Sequence, residues 1–206
     1  MHSGKLDSTS LPVMEYFQTI QGEGFHQGKN AYFIRLGGCD VGCPWCDVKE
    51  SWDASDHPNV QISTLVEAVK KSGVRHVVIT GGEPLMYDLT ELTKAIKSTG
   101  AKIHVETSGA YPLTGTWDWI TLSPKKFKQA LPEYYPQANE LKIIVFNEHD
   151  LEWAETHAAR VEEDCQLYLQ PEWSKAKKML AKIIEYKKSA PKWHTSLQLH
   201  KYIGMP

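Results

Sequence analysis

The chain has 206 residues, 41% of them hydrophobic, with 23 Lys and Arg against 25 Asp and Glu. That length and apolar share suit one globular domain and exclude a disordered polymer, and a formal net charge of −2 excludes a global pull toward nucleic acid or anionic lipid. No apolar run is long enough to cross a bilayer and the start Met1–Asp7 has no apolar signal core, so the expected location is the cytoplasm, where thiols stay reduced.

Residues 1–12 are polar, contain a proline and are expected to be a loose N-terminal extension. Tyr32–Leu36 reads as a strand that stops at Gly37-Gly38. Cys39, Cys43 and Cys46 follow at once, with three and then two residues between them. Thr64–Ser72 reads as a helix, with Thr64 and Glu67 at capping-box spacing and Gly73 as its stop. The β-branched run His76–Thr80 predicts a buried strand, leading directly into Gly81-Gly82-Glu83-Pro84. A second helix is expected over Asp88–Ser98, ended by Gly100.

Further strands are predicted at Lys102–Glu106, Trp119–Leu122, Leu141–Phe146 and Gln166–Leu169, and helices at Asp150–Ala158 and Ser174–Lys188. Ser196–Leu199 alternates like a last strand. Segments 107–118 and 123–140 are rich in Gly, Pro and polar residues and do not read as helices. Strands therefore outnumber helices in a chain that otherwise alternates β and α. The pattern predicts an α/β fold, a partial TIM-type barrel with a curved parallel sheet of about six strands, reduced crossover helices and a single domain over residues 1–206.

Nearly every unusual polar motif follows a predicted strand: the cysteines, Thr80–Pro84, Glu106–Gly109, Ser123-Pro124-Lys125, Gln170-Pro171-Glu172 and His200. In a parallel βα sheet the C-terminal strand ends share one face, where such folds place their active sites. Distant parts of the chain should therefore meet over one mouth.

Three thiolates so close together call for a metal. They can hold three irons of a four-iron cluster and leave the fourth open to bind and break a small molecule. A zinc site completed by a histidine such as His57 is the alternative, but zinc favours paired ligands and no second cysteine pair follows. The remaining Cys165 lies in an apolar segment and reads as a buried, inert thiol.

Cys39-Asp40-Val41-Gly42-Cys43-Pro44-Trp45-Cys46 matches the cluster motif of the radical S-adenosylmethionine (SAM) enzymes, and Gly81-Gly82-Glu83-Pro84 resembles their segment that holds the methionine amino group of SAM. The stretch Phe17–Gly24 and the tail His200–Pro206 are narrower. They resemble the 7-carboxy-7-deazaguanine synthases, carbon–nitrogen lyases that build the deazapurine core of queuosine and related bases, and the resemblance covers residues 13–206.

The resemblance implies a 4Fe-4S cluster on Cys39, Cys43 and Cys46, SAM as a cofactor that is regenerated, and 6-carboxy-5,6,7,8-tetrahydropterin as substrate, its ring contracting with loss of ammonia. SAM would be bound by Trp45, Gly82, Ser123, Pro124, Lys125 and Gln170. The pterin would be bound by Gln21, Gly22, Glu23, Arg35, Thr80, His200 and the terminal carboxylate of Pro206, with the tail 200–206 closing the pocket. Glu23 suits the guanidine-like edge and Arg35 the acid; an ion pair with Glu15 or Glu23 is the alternative for Arg35. Mg²⁺ is also implied, yet the usual ligand position, two residues after the last cysteine, is Val48, which leaves Asp47 as the candidate. The implied partners are a flavodoxin- or ferredoxin-type electron donor and a second copy of the chain, with no direct nucleic acid and no membrane. The competing functions are a radical SAM activating enzyme for a glycyl-radical protein and a zinc-binding interaction module.

Overall fold

The structure, a computed structural model, describes residues 9–205. It contains one nine-stranded sheet, built from β1 (Ser10–Ile20), β2 (Asn30–Leu36), β3 (Asn59–Gln61), β4 (His76–Gly81), β5 (Lys102–Thr107), β6 (Trp119–Leu122), β7 (Glu140–Val145), β8 (Gln166–Pro171) and β9 (His194–Thr195). The spatial order is β3-β1-β2-β4-β5-β6-β7-β8-β9. From β2 to β9 every pairing is parallel, whereas β1 runs antiparallel to both β2 and β3. This is the partial barrel expected from the sequence, lengthened at one edge by two antiparallel strands that the β/α alternation did not announce.

Helices α1 (Ile62–Ser72), α2 (Thr90–Lys97), α3 (His149–Ala158) and α4 (Ala176–Lys187) cover the outer face. Leu65, Val69, Leu92, Ile96, Leu151 and Ile183 from these helices join Ile34, Ile79, Ile103, Leu122, Leu141 and Leu169 from the strands in the main core. The opposite face of the same strands is polar: Thr80 on β4, His104 and Glu106 on β5, Thr121 on β6, Glu140 and Lys142 on β7, Gln170 on β8, all nearly buried apart from Glu106. Period-2 alternation in a parallel sheet thus separates an apolar outer face under the helices from a lumen that is polar apart from a small cluster of Phe17, Ala31, Phe33 and Val78.

The sheet's two edges do not pair. The segment after β1 instead spans the gap: Gly24 N donates to Ser196 Oγ at 3.0 Å, Phe25 N donates to Glu140 Oε2 at 3.0 Å, and Leu199 N donates to Gly22 O at 2.9 Å. Below it, His26 from this segment meets His76, His104 and Trp119 in an aromatic floor, with His26–His76 ring centres 4.7 Å apart.

Several expectations need correction. Residues 10–12 are not loose: Ser10, Leu11 and Pro12 pair with Gln61, Val60 and Asn59. The Thr64–Glu67 capping box is unused, because β3 runs straight into α1 and Ile62 N donates to Thr9 O at 2.8 Å. The second helix begins at Thr90, its entry held by Asp88 Oδ1, which accepts from Thr90 N at 2.9 Å. The last strand is His194–Thr195 rather than Ser196–Leu199. Ser196 and Gln198 spend their side chains on Gln170 and Glu23, and the chain turns into α5 (Leu199–Ile203). Among the described residues no helix is long and apolar enough to cross a membrane.

Candidate active site

The C-terminal ends of β2, β4, β5, β6, β7 and β8 open onto one cavity of ≈ 300 Å³. All three clustered cysteines line it, together with Gln21, Gly22, Glu23, Arg35, Trp45, Asp47, Val48, Thr80, Gly82, Ser123, Lys125, Gln170 and His200. Pro124 does not; it borders an adjoining cavity of ≈ 560 Å³ that shares Trp45, Cys46, Asp47 and Lys125 with the first. Pro206 lies outside the described residues.

The start of the cysteine loop is pinned by its backbone to the turn that follows the cysteines and to the segment after β4. Gly38 N donates to Ser51 O at 2.7 Å, Cys39 N to Trp52 O at 3.0 Å, and Glu83 N to Gly38 O at 2.8 Å. Gly82 lies so close that a Cβ there would stand 2.3 Å from Gly38 O and 2.8 Å from Cys39 Cβ, so only glycine fits. Burial raises the Cys39 thiol, with Glu83 and Cys46 adding to the effect, and burial pushes Cys43 up to about 11. Both thiols are therefore protonated in the free chain, and iron binding must release those protons.

The donor set fits an iron–sulfur cube. Three thiols face one cavity, and Cys165 sits in the main core, pushed up to about 12 by burial. Among the described residues no three His, Cys, Asp or Glu side chains are grouped as a single metal ion would require. Cysteines that each take a separate iron of a cube need no such grouping, whereas a zinc ion does. His57, the proposed zinc partner, is absent from the cavity lining and contacts Glu50 O at 2.9 Å.

On the β4–β6 side, Glu83 is the organiser. It is 1% exposed and accepts from Thr107 Oγ1 at 2.6 Å, Ser108 N at 2.8 Å, Ser108 Oγ at 2.5 Å and Leu85 N at 3.2 Å. It therefore ties the double-glycine turn to the end of β5. Lys125, whose ammonium is destabilised chiefly by burial, donates to Ser123 Oγ at 2.6 Å.

On the opposite side the residues form one charged network. Lys142 Nζ bonds Glu23 and lies 3.9 Å from Glu106 Oε1. Gln21 Nε2 donates to Glu106 Oε1 at 2.9 Å, and Thr80 Oγ1 to Glu106 Oε2 at 3.4 Å. Burial alone would raise Glu106, but Lys142, Gln21 and Arg35 hold it below its ordinary value. Burial likewise opposes the Lys142 charge, yet Glu106, Glu23 and Glu140 raise it. Arg35 makes the ion pair with Glu15, Nε to Oε1 at 2.7 Å, while also lining the cavity. Gly22 carries His200 against its backbone: a Cβ would lie 2.1 Å from His200 Nδ1.

Lys142 was missed by sequence reasoning as a site residue, and Glu83 and Glu106 were read only as parts of their motifs. The signal for Lys142 was a charge in the middle of the apolar strand Glu140–Val145, the same argument that singled out Arg35. The expected Mg²⁺ finds a poor donor set. The Val48 side chain offers no oxygen, its carbonyl already accepts from Ser51 Oγ at 2.7 Å, and Asp47 is already held by Lys201 and by Gln198 Nε2 at 3.0 Å.

Comparison with known proteins supports the same picture. The Radical SAM superfamily pattern matches residues 33–129. The 7-carboxy-7-deazaguanine synthase of Flavobacterium psychrophilum is 54% identical over 95% of this chain and 93% of its own length. The one from a Synechocystis strain is 50% identical over 98% and 96%. The crystal structure of QueE from Escherichia coli superimposes with a TM-score of 0.82 at 33% identity, covering 93% of this chain and 95% of that one.

Proposed function

The chain belongs to the 7-carboxy-7-deazaguanine synthase family of radical SAM enzymes, and from that premise we propose how its residues divide the work. The reaction is conversion of 6-carboxy-5,6,7,8-tetrahydropterin to 7-carboxy-7-deazaguanine with loss of ammonia. When bound, the 4Fe-4S cluster and SAM supply a 5′-deoxyadenosyl radical, and positioning and water exclusion fall to the protein.

Cys39, Cys43 and Cys46 hold the cluster as thiolates. Gly82 brings backbone to the methionine end of SAM, and the Glu83 clamp keeps that backbone in place. Trp45, Ser123, Pro124, Lys125 and Gln170 bind the nucleoside, Pro124 from the adjoining cavity. Glu23 accepts from the guanidine-like edge of the pterin while its bond to Lys142 holds the carboxylate in place. Arg35 grips the substrate acid on exchanging part of its bond to Glu15. Gln21, Gly22, Thr80 and His200 complete the pterin side, and α5 closes it. By the family resemblance, the electron donor is of flavodoxin or ferredoxin type and the working unit is a cytoplasmic homodimer.

The observation that carries this reading is the meeting of the three cysteines and the Glu23–Lys142–Glu106 network in one ≈ 300 Å³ cavity. Anaerobic incubation of reconstituted protein with SAM, a reductant and the carboxytetrahydropterin tests it. Formation of a deazapurine product with release of ammonia supports it. SAM cleavage without any change in the pterin would refute the substrate assignment.

A further inference from the structure

Asp47 directly follows the last clustered cysteine, and its carboxylate is bonded by Lys201 Nζ from α5. Gln198 Nε2 donates to Asp47 Oδ2 at 3.0 Å and to Glu23 Oε1 at 3.0 Å, linking this ion pair to the charged network of the cavity. The Lys201 ammonium also lies 5.1 Å from the centre of the Trp173 ring, and Trp173 meets Tyr202 edge-on at 5.3 Å. Lys201 is therefore held by a carboxylate and an aromatic face together, its side chain is 22% exposed, and it lines the same cavity as Cys46, Asp47 and Val48.

Mg²⁺ asks for near-octahedral oxygen ligands and gives up water reluctantly. Here it would have to displace an ammonium group from Asp47 and would find a valine as the next side chain. The ammonium already provides a compact positive charge with three donors, of which Asp47 needs only one or two, leaving capacity for a substrate carboxylate.

We propose that Lys201, held on Asp47, supplies the positive charge that a divalent ion would otherwise bring to this corner of the cavity, so that the chain turns over its pterin without Mg²⁺. The proposal rests on the deazaguanine-synthase reading and deepens it. The link runs both ways: α5 brings Lys201 into the site, and Asp47 fastens α5 to the cysteine loop.

The test uses cluster-loaded enzyme in metal-depleted buffer, with and without MgCl₂, together with calorimetric titration of MgCl₂ into enzyme plus pterin without reductant. Wild type should turn over equally with and without the ion and give no binding heat. Lys201→Met should lose about ten-fold in kcat/KM without the ion, the size expected for one lost charge-assisted hydrogen bond at a partly exposed site. It should recover in part with MgCl₂ and gain a binding heat, because Asp47 is freed. A role for Lys201 in folding alone would give no rescue by the ion. A wild-type rate that falls when Mg²⁺ is omitted, a wild-type binding heat, or a Lys201→Met variant as active as wild type without the ion would each overturn the proposal. Absence of deazaguanine product under every condition overturns the parent reading too, and is distinguished by that blank.

Discussion

Lys142 Nζ lies 3.9 Å from Glu106 Oε1 although their strands, β7 and β5, are separated by β6. The two side chains reach across the lumen above Thr121, and Glu23 joins them from the segment that closes the barrel gap. One buried ammonium thus serves carboxylates from two distant parts of the chain. Removing it strands them, and a buried ion network that loses one partner is destabilised by about 3 kcal/mol or more. Lys142→Met should therefore lower the urea midpoint strongly, and adding Glu106→Gln should recover part of the loss. An unaltered midpoint in the single variant would refute the network's role.

Gly82 and Gly22 provide a matched pair of steric tests. In Gly82→Ala the new methyl meets backbone at Gly38 and the Cys39 Cβ, which cannot yield without shifting the cluster loop. Iron content should fall well below wild type. In Gly22→Ala the clash is with the His200 ring, a side chain that can rotate away. Iron content should stay normal while the pterin KM rises about ten-fold, the size expected for one lost polar contact in a binding pocket. Equal iron in both variants would contradict the first half, and an unchanged KM the second.

Arg35→Lys should raise KM for the pterin more than it lowers kcat, because the charge is kept but the planar fork that can hold Glu15 and a carboxylate together is lost. Unaltered kinetics in this variant would confine Arg35 to its structural ion pair.

The histidine floor makes stability depend on pH. Burial, then the neighbouring His76, holds His26 down to about 4, and burial also lowers His76 and His104 from 6.5. These rings are neutral when folded and take up protons on unfolding. Their contribution is therefore full above pH 6.5 and is lost as pH falls toward 4. The urea midpoint should drop through that window, and His26→Gln should lessen the drop. Parallel pH profiles for the two proteins would refute the assignment.

How far the sequence carried these conclusions varied by residue. β-branched runs and the motifs after them located β2 and the strands from β4 to β8 and the mouth they share, because in this fold chemistry sits where parallel strands end. β1 was hidden since Glu15, Phe17 and Thr19 follow a mixed pattern set by an antiparallel neighbour and a lumen that is partly polar. Ser196 and Gln198 mimicked strand alternation because they point polar groups inward, at Gln170 and Glu23. Spacing flagged the cysteines, and a lone charge in an apolar strand flagged Arg35. The same rule applied to Lys142 would have found the centre of the network. The pairing of Asp47 with Lys201, 154 residues apart, has no local signature at all.

The most direct measurement is metal and sulfide analysis of protein kept from air, followed by electron paramagnetic resonance of its reduced form with and without SAM. The account predicts brown protein with about four irons and as many sulfides per chain, a signal that changes on adding SAM, and loss of both in Cys43→Ala. Colourless protein carrying zinc, or a cluster whose signal ignores SAM, would contradict it.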